Sequence, residues 1–191
     1  MANLPTTEIT AHTTDIPGLL VFSVSLMGDE RGWLQEKFQK QKLVAAGLPD
    51  NFSPVQHSLS YNQKVGVTRG LHAEPWRKYV SVITGKVFGA YVDLREGPAF
   101  GKTAFVTIDQ TTTVFIPKGV ANSFQSIEPE TYYSYLVDDY WSQERMPEYK
   151  FVNLEDPTLA IPWPVQLSEA IISDRDRNHP LLSSITPFTN V

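Results

Sequence analysis

Short apolar runs separated by turn residues dominate the chain between residues 19 and 137. The runs are rich in Val, Ile, Thr, Phe and Tyr, which favour strands, and glycine and proline punctuate the gaps between them. The predicted strands span residues 19–26, 79–84, 86–94, 103–108, 113–116 and 132–137. Mostly antiparallel strands joined by short turns predict an all-β sandwich or barrel.

Three segments differ from the simple pattern of half-buried strands and turns. Residues 87–92 are apolar on both faces, which predicts a strand with the barrel interior on one side and another layer or a subunit on the other. Residues 39–46 are predicted to form a helix that ends at Gly47, and a short helical piece is expected near Gln143. The segment from about residue 152 to residue 191 is rich in proline, so we expect it to run irregularly along the outside of the barrel.

The bulk composition fits one globular domain over residues 1–191. Apolar residues make up 41% of the chain and charged residues 19%, which is too apolar for a disordered protein. The formal net charge of −5 argues against nucleic acid as the main partner. We expect no membrane span and no signal peptide, because neither pattern occurs. The absence of cysteine excludes a cysteine nucleophile and suits a cytoplasmic location.

His72 is the first candidate for chemistry, because it lies near the end of a predicted strand and close to a barrel mouth. A histidine in that position can reach a ligand, and it titrates near neutral pH. A hydrogen-bonded structural histidine explains the position equally well. Of the other histidines, His12 and His179 are expected to be solvated. His57 is expected to lie in a strand, between Gln56 and Ser58, and is a candidate to line the site.

A lysine, a pair of tyrosines and an aspartate further along the chain carry groups that a histidine base would need beside it. Lys78 alternates with its neighbours so that it can face the same interior as His72, although most lysines are solvated. Tyr133 and Tyr135 share one face of a strand, where most tyrosines serve as packing residues. Asp176 lies in a charge run of the tail that is otherwise typical of a solvated surface.

The chain also contains residues that could bind phosphate or a metal. Arg31 and Arg69 carry planar guanidinium groups that bind phosphate bidentately, although each alone is more often a surface charge. Small β-barrels often hold a metal with a His-x-His pair and a later glutamate. Here His72 and Glu74 with a distant histidine form an alternative metal site, but no second histidine stands beside the first, so we expect no metal.

Several short blocks occur along the chain in a specific order. They are residues 28–33 (GDERGW), 69–72 (RGLH), 92–95 (VDLR), 100–101 (FG), 116–122 (IPKGVAN), 156–164 and 173–182. With these blocks in this order, the chain resembles the dTDP-4-dehydrorhamnose 3,5-epimerase family from about residue 16 to residue 182.

The resemblance implies a fold, an activity and an assembly. The expected fold is a cupin-type antiparallel jelly roll with a few short helices. The expected activity is epimerisation of dTDP-4-dehydro-6-deoxy-D-glucose at C3 and C5, without a cofactor or a metal. The expected assembly is a homodimer, with an N-terminal arm of about residues 1–30 in the dimer contact.

The resemblance also implies roles for particular residues. His72 falls on the catalytic base, and Asp176 on the carboxylate that orients it. Lys78 falls on the lysine that steadies the enolate, and Tyr135 on the tyrosine acid. The implied substrate-binding positions are Arg31, Glu36, Gln56, Ser58, Arg69, Asn122, Tyr140 and Arg175. In the family, the first two of these would come from the partner subunit of the dimer.

Four positions depart from the common pattern of the family. Asn122 stands where many members have histidine, and Ser58 where many have asparagine. Leu34 replaces a common phenylalanine, and Arg175 a common lysine. These changes leave the expected reaction centre intact and affect the contacts with the sugar and the nucleotide.

Two other functions remain open on the sequence alone. A related epimerase could invert only C3 of a nucleotide 4-keto sugar, using the same base and acid. A non-catalytic cupin could bind a sugar nucleotide for regulation or scaffolding. The combination of His72, Lys78, Tyr135 and Asp176 argues against the second, because binding alone does not require an acid and a base.

Overall fold

The structure, which is a computed structural model, describes residues 9–189 and residue 191. The first eight residues of the predicted N-terminal arm therefore lie outside the described residues. The strands are β1 (Ile9–Thr13), β2 (Leu20–Val24), β3 (Met27–Asp29), β4 (Gly32–Leu34), β5 (Gln56–Asn62), β6 (Thr68–Ala73), β7 (Lys78–Thr84), β8 (Val87–Asp93), β9 (Thr103–Ile108), β10 (Thr112–Ile116), β11 (Val120–Ser126), β12 (Thr131–Val137) and β13 (Lys150–Phe151). The helices are α1 (Lys40–Ala45), α2 (Asp174–Arg177) and two 3₁₀ helices, Gln143–Glu148 and Leu182–Ser184. Within the described part of the chain, none of these helices has the length and apolar character needed to cross a membrane.

The strands form two large sheets and a separate hairpin of β3 and β4. One sheet has the order β1-β2-β10-β7-β12-β5, and the other has the order β13-β6-β11-β8-β9. The ladders between these strands are antiparallel. Without β1, β2 and β13, the order β5-β12-β7-β10 lies opposite β6-β11-β8-β9, which is the order of an eight-stranded jelly roll. The predicted all-β jelly roll is confirmed.

Alternate residues of both sheets build the core between them. Val80 and Val82 of β7 belong to one buried cluster with Val87 and Tyr91 of β8. Because side chains alternate along a strand, Lys78 points to the same side as Val80. It therefore faces the interior where the sheets open at one end.

The C-terminal segment covers the outer face of the five-stranded sheet. Leu71 and Val92 of this sheet are buried there with Val152, Leu154 and Leu159. As a result, β8 is buried at every position, with the intersheet core on one side and this segment on the other. The expectations of a two-sided strand at β8 and of a tail along the outside are confirmed.

Helix α1 and the residues after it cover the outer face of the six-stranded sheet, where Leu43 is buried with Tyr79. The side chain of Gln39 caps the helix by accepting a hydrogen bond from the backbone N–H of Lys42 at 2.7 Å. Gly47 follows the helix with a φ of +114°, a conformation that favours glycine. The predicted helix is confirmed, and its predicted range includes the two capping residues.

The six predicted strands are present, with ends that differ by at most two residues. The six predicted ranges leave out β1, β3, β4, β5, β6, β11 and β13, of which β5 and β6 were indicated as strands only around His57 and His72. Strand β11 shows the physical reason most clearly. Its side chains are largely polar, yet all seven residues are buried. Ser123 Oγ donates to the backbone oxygen of Arg69 at 2.7 Å, and Gln125 Nε2 donates to Thr68 Oγ1 at 3.0 Å. These hydrogen bonds make the burial of polar groups possible without an apolar pattern.

Candidate active site

One end of the interior between the sheets opens into a cavity of about 250 Å³. A neighbouring cavity of about 220 Å³ shares His72, Glu74 and Tyr135 with it. The other residues that line the first cavity are Ser60, Arg69, Lys78, Asn122, Phe124, Tyr133 and Asp176. The four residues predicted to be catalytic, His72, Lys78, Tyr135 and Asp176, therefore line one cavity.

A β-bulge places Arg69 and His72 on the same side of β6. His72 lies opposite Asn122 of β11 and Arg69 lies opposite Phe124, so three steps along β6 correspond to two steps along β11. In a regular strand, this odd spacing would turn one of the two side chains to the outer face. The bulge brings both to the cavity, while Leu71 between them is buried in the outer layer.

Gly70 is the residue that this bulge requires. Its φ is +122°, and an added Cβ would lie 2.7 Å from the backbone oxygen of Asn122 and 2.8 Å from Cα of Ser123. We expect Gly70→Ala to lower the free energy of unfolding by about 2–6 kcal/mol, through backbone strain together with overpacking. Urea unfolding measures this loss.

Gly97→Ala is the matched control for this substitution. Gly97 has a φ of +126°, but an added Cβ would meet no atom within 4 Å. We expect it to cost only the backbone strain, about 1–3 kcal/mol. Equal losses in the two variants would contradict the close approach of β11 to Gly70.

His72 and Asp176 are 104 residues apart in the chain and meet at the wall of the cavity. Nε2 of His72 lies 2.8 Å from Oδ1 of Asp176. The side chain of His72 is 30% exposed and that of Asp176 is 9% exposed. The imidazole can therefore reach the contents of the cavity, while the carboxylate lies behind it.

Two segments hold the carboxylate of Asp176. The hydroxyl of Ser173 caps α2 by accepting a hydrogen bond from the backbone N–H of Asp176 at 3.2 Å, and the backbone N–H of Gly70 donates to Oδ2 at 3.3 Å. Burial opposes ionisation of Asp176, but the hydrogen bond and charge of His72, with the Gly70 N–H, lower its pKa to about 2. Asp176 is therefore an anion beside His72 at neutral pH.

The expectation that His179 is solvated is wrong. The residue is only 9% exposed, and its ring stacks on Phe151 with centroids 4.7 Å apart. Its Nε2 lies 3.3 Å from Oδ1 of Asp176. Burial lowers the pKa of His179, and the charge of His72 lowers it further. The spacing of three residues from Asp176, about one helical turn, is the signal that could have indicated this contact.

Lys78 is buried in an ion pair with Glu74. Their side chains are 9% and 11% exposed, and Nζ of Lys78 donates to Oε1 of Glu74. Asn122 Nδ2 donates to the backbone oxygen of His72 at 2.8 Å and to Oε2 of Glu74 at 3.4 Å. The sequence did not indicate this use of Glu74, because it does not show that Lys78 is buried and needs a counter-ion.

Tyr135 reaches the cavity from the sheet opposite to that of His72, because it belongs to β12 and His72 to β6. Nζ of Lys78 lies 5.4 Å from the centroid of its ring. Tyr133, on the same face of β12, stacks on Phe124 with centroids 4.1 Å apart, and burial raises its pKa well above the ordinary value. Tyr133 is therefore a neutral packing residue, whereas Tyr135 is half-buried at the cavity.

Two of the predicted substrate-binding residues, Gln56 and Arg175, line the second cavity. Trp141, which was not predicted, lines it as well. Gln56 Nε2 donates to Ser58 Oγ at 3.2 Å, and its Oε1 accepts from the backbone N–H of Trp141 at 3.1 Å. Tyr140 is 63% exposed, and it is not among the described residues that line either cavity.

The two arginines predicted to grip phosphate lie in different places. Arg69 lines the first cavity. Arg31 lies in the turn between β3 and β4, where its 86% exposed side chain forms a fork with Asp29. Glu36 forms an ion pair with Lys42. Among the described residues, neither Arg31 nor Glu36 lines the two cavities, so their own chain does not bring them to His72.

The expectation that His57 lines the site is wrong. His57 lies in β5 as predicted, but Gln56 and Ser58 on either side of it point to the opposite face. Its Nε2 instead forms a hydrogen bond with Ser134 Oγ at 2.7 Å. His12 is exposed on β1, as expected.

A cation would find its ligands at His72, Asp176 and His179, whose ligand atoms lie within 4.8 Å of one another. This set differs from the sequence-based alternative, because Glu74 is bound by Lys78. Both histidines already have the Asp176 carboxylate as a hydrogen-bond partner.

The jelly roll, with a histidine, a lysine and a tyrosine lining one end of its interior, defines a cupin-class enzyme. Residues 13–184 match the model of the dTDP-4-dehydrorhamnose 3,5-epimerase family, and the chain belongs to this family. The Streptococcus pyogenes serotype M6 protein named "Protein RmlC homolog" is 49% identical over 178 residues, which cover 91% of this chain and 89% of the relative. The dTDP-4-dehydrorhamnose 3,5-epimerase of Shigella flexneri is 35% identical over 173 residues, which cover 86% and 91%.

Solved structures agree with this relationship. The structure of RmlC from Streptococcus suis in complex with dTDP-D-xylose has a TM-score of 0.91 and 46% identity, and the match covers 95% of each chain. The expected family, cupin fold and isomerase class are therefore confirmed.

Proposed function

We propose that this cavity is where the chain inverts C3 and C5 of dTDP-4-dehydro-6-deoxy-D-glucose, which yields dTDP-4-dehydro-L-rhamnose for dTDP-L-rhamnose biosynthesis. The observation that carries the proposal is the position of His72 and Tyr135 on opposing sheets around one cavity. An epimerase removes a proton from one face of a carbon and returns a proton to the other face. It therefore needs an acid and a base on opposite sides of the substrate.

His72 is the proposed base. The C4 ketone of the substrate acidifies the hydrogens at C3 and C5, and the imidazole takes one of them. Asp176, ionised and 2.8 Å from Nε2, orients the ring and stabilises the imidazolium that forms. The other ring nitrogen is then the one that accepts the proton.

Lys78 and Tyr135 complete the proposed reaction. Removal of the proton moves negative charge onto the C4 oxygen, and the ammonium of Lys78 stabilises it from a buried position. Tyr135 returns a proton to the opposite face of the same carbon. The substrate's own ketone accepts the electron pair, so this chemistry calls for neither a redox cofactor nor a metal.

The remaining predicted residues are proposed to bind the sugar nucleotide. Arg69 and Arg175, which line the two cavities, suit the diphosphate. Gln56, Ser58 and Asn122 supply hydrogen bonds close to the sugar. The exposed ring of Tyr140 is proposed to pack near the nucleotide.

We propose a cytoplasmic homodimer in which one domain spans residues 1–191. The family match over residues 13–184 supports a single domain. The location of Arg31 and Glu36 away from their own cavities supports a partner subunit that supplies them. The N-terminal arm of about residues 1–30 is proposed to lie in the dimer contact.

The test of the function is incubation with dTDP-4-dehydro-6-deoxy-D-glucose in D₂O, followed by mass spectrometry and NMR. We expect deuterium at both C3 and C5 and inversion of both centres. Deuterium at C3 alone would replace the proposal with a 3-epimerase. Binding without any exchange would make the chain a non-catalytic sugar-nucleotide cupin.

Tyr135→Phe separates proton return from proton removal. The variant keeps the ring near Lys78 but loses the hydroxyl, so we expect product formation to fall by about 10²-fold or more while exchange of substrate hydrogens with D₂O falls less. NMR of the recovered substrate and product gives both rates. An equal fall in both would show that Tyr135 is not a separate acid.

Tyr132→Phe is the matched control for Tyr135→Phe. Tyr132 lies on the other face of β12, where its ring packs against Tyr61 with centroids 4.8 Å apart. We expect this variant to retain both rates.

A further inference from the structure

The carboxylate of Asp176 has two imidazoles on one oxygen. Nε2 of His72 lies 2.8 Å from Oδ1, and Nε2 of His179 lies 3.3 Å from the same atom. We propose that His179 is a positioning residue, which donates its Nε2–H to Asp176 and so fixes the carboxylate that orients the base. This inference rests on the proposed roles of His72 and Asp176 and adds a third member to them.

The surroundings of His179 hold its ring in place. Phe151 of β13 stacks on one face, with an angle of 19° between the ring planes. Asn153 fixes the backbone of His179 and of the residue after it, because its Nδ2 donates to the oxygen of His179 at 3.0 Å and its N–H donates to the oxygen of Pro180 at 2.8 Å. The ring of His72 also packs edge-on against His179 and Phe151, with centroids 5.6 and 5.4 Å away. The imidazole of His179 is therefore held at Asp176 by ring packing on two sides and by backbone contacts.

The charges around His179 favour its neutral form. Asp176 and Arg175 face it from the C-terminal segment, and His72 faces it from β6, while Phe151 of β13 is uncharged. Burial and the positive charge of His72 lower the pKa of His179 by more than Asp176 raises it. A neutral His179 donates one N–H without adding a second cation, so the negative charge of Asp176 remains available to the imidazolium of His72.

The arrangement of donors around Asp176 explains why the Nε2–H of His179 matters for the orientation of the carboxylate. Among the described residues, Gly70 is the one donor to Oδ2 of Asp176, at 3.3 Å, and Oδ1 serves both histidines. Without His179, the carboxylate loses one of three donors and can rotate away from His72. The expected consequence is a loss in kcat with little change in KM, because His179 is not among the described residues that line either cavity.

His179→Phe and His179→Gln test the proposal in the full-length enzyme. Phenylalanine keeps the stack on Phe151 and removes the donor, whereas glutamine places an amide N–H near the position of Nε2. We expect His179→Phe to lower kcat by about 10-fold with KM within about twofold, which corresponds to one lost hydrogen bond to a charged group. We expect His179→Gln to retain most of the activity.

The pH profile gives a second readout. In His179→Phe, the carboxylate of Asp176 turns away from His72 and stabilises its imidazolium less, so the acid limb of kcat/KM moves to lower pH. In His179→Gln the limb stays in place. Equal losses in the two variants, or full activity in His179→Phe, would overturn the positioning role.

NMR of the unmutated enzyme covers the case in which a variant fails to fold. With ¹⁵N-labelled histidine, we expect the Nε2–H tautomer of His179 at neutral pH, with a resonance that moves in Asp176→Asn. An unprotonated Nε2 would overturn the proposal. Failure of the proposed function is distinguished from this outcome, because the unmutated enzyme would then exchange no hydrogen at C3 or C5 in D₂O.

Discussion

His72→Asn is expected to lower kcat by about 10²–10⁴-fold, which is the usual contribution of a general base. Asparagine can still form a hydrogen bond with Asp176, but it cannot take a proton from carbon. Because the imidazole is 30% exposed at the cavity and its neighbour Asp176 is ionised, the loss falls on the chemical step. The measurement is the initial rate of epimerisation together with deuterium uptake at C3 and C5.

His12→Asn is the matched control for this experiment. His12 is exposed on β1 and is not among the described residues that line the two cavities. The control variant should retain full activity. Turnover that is unchanged in His72→Asn would remove His72 from the mechanism and, with it, the role of Asp176.

Lys78→Met is expected to lower kcat by about 10²–10³-fold, the typical effect of removing one group that stabilises an oxyanion. The side chain of Lys78 is only 9% exposed, so water is a poor substitute for its ammonium. The substitution also leaves the carboxylate of Glu74 without its buried partner, which should lower the free energy of unfolding by about 3 kcal/mol. Steady-state kinetics and urea unfolding measure the two effects.

The double variant Lys78→Met/Glu74→Gln separates catalysis from stability. It removes both charges, so we expect most of the stability to return while the activity stays low. Lys86→Met, at a more exposed lysine paired with Glu128, is the control and should change neither. Recovery of activity in the double variant would mean that Lys78 only neutralises Glu74.

The elements that can be predicted from the sequence are those in which the pattern of apolar and polar residues matches the observed burial of the side chains. Residues 103–108 alternate in a run of strand-forming residues, and the predicted strand has the observed ends. The range 120–126 fails because the burial of its polar side chains depends on hydrogen bonds to β6, which no local pattern reveals. The prediction of helix α1 succeeds because Gly47 marks its end, whereas the cap that Gln39 forms at its start is seen only in the structure.

The residues of the candidate site also divide into those that the local sequence indicates and those that only contacts in the fold define. The sequence indicates His72 and Lys78 through strand position, but it places Asp176 only through the family resemblance. Glu74 and His179 were missed as members of the site, because each is defined by its contact with another site residue. A buried lysine requires a counter-ion, and a buried carboxylate requires donors, but burial itself is known only from the fold.

The proposed base and acid lie on different sheets, so substitutions in the core between the sheets can change the distance between them. Opposed sheets pack about 10 Å apart, and the side chains of the core between them set that gap. The separation of His72 from Tyr135 is thus controlled by the volume of residues such as Val80 and Val82, which touch no substrate. Enlarging or shrinking these valines would act as an adjustment of catalytic distance, whereas insertions in the surface loops would leave it unaltered.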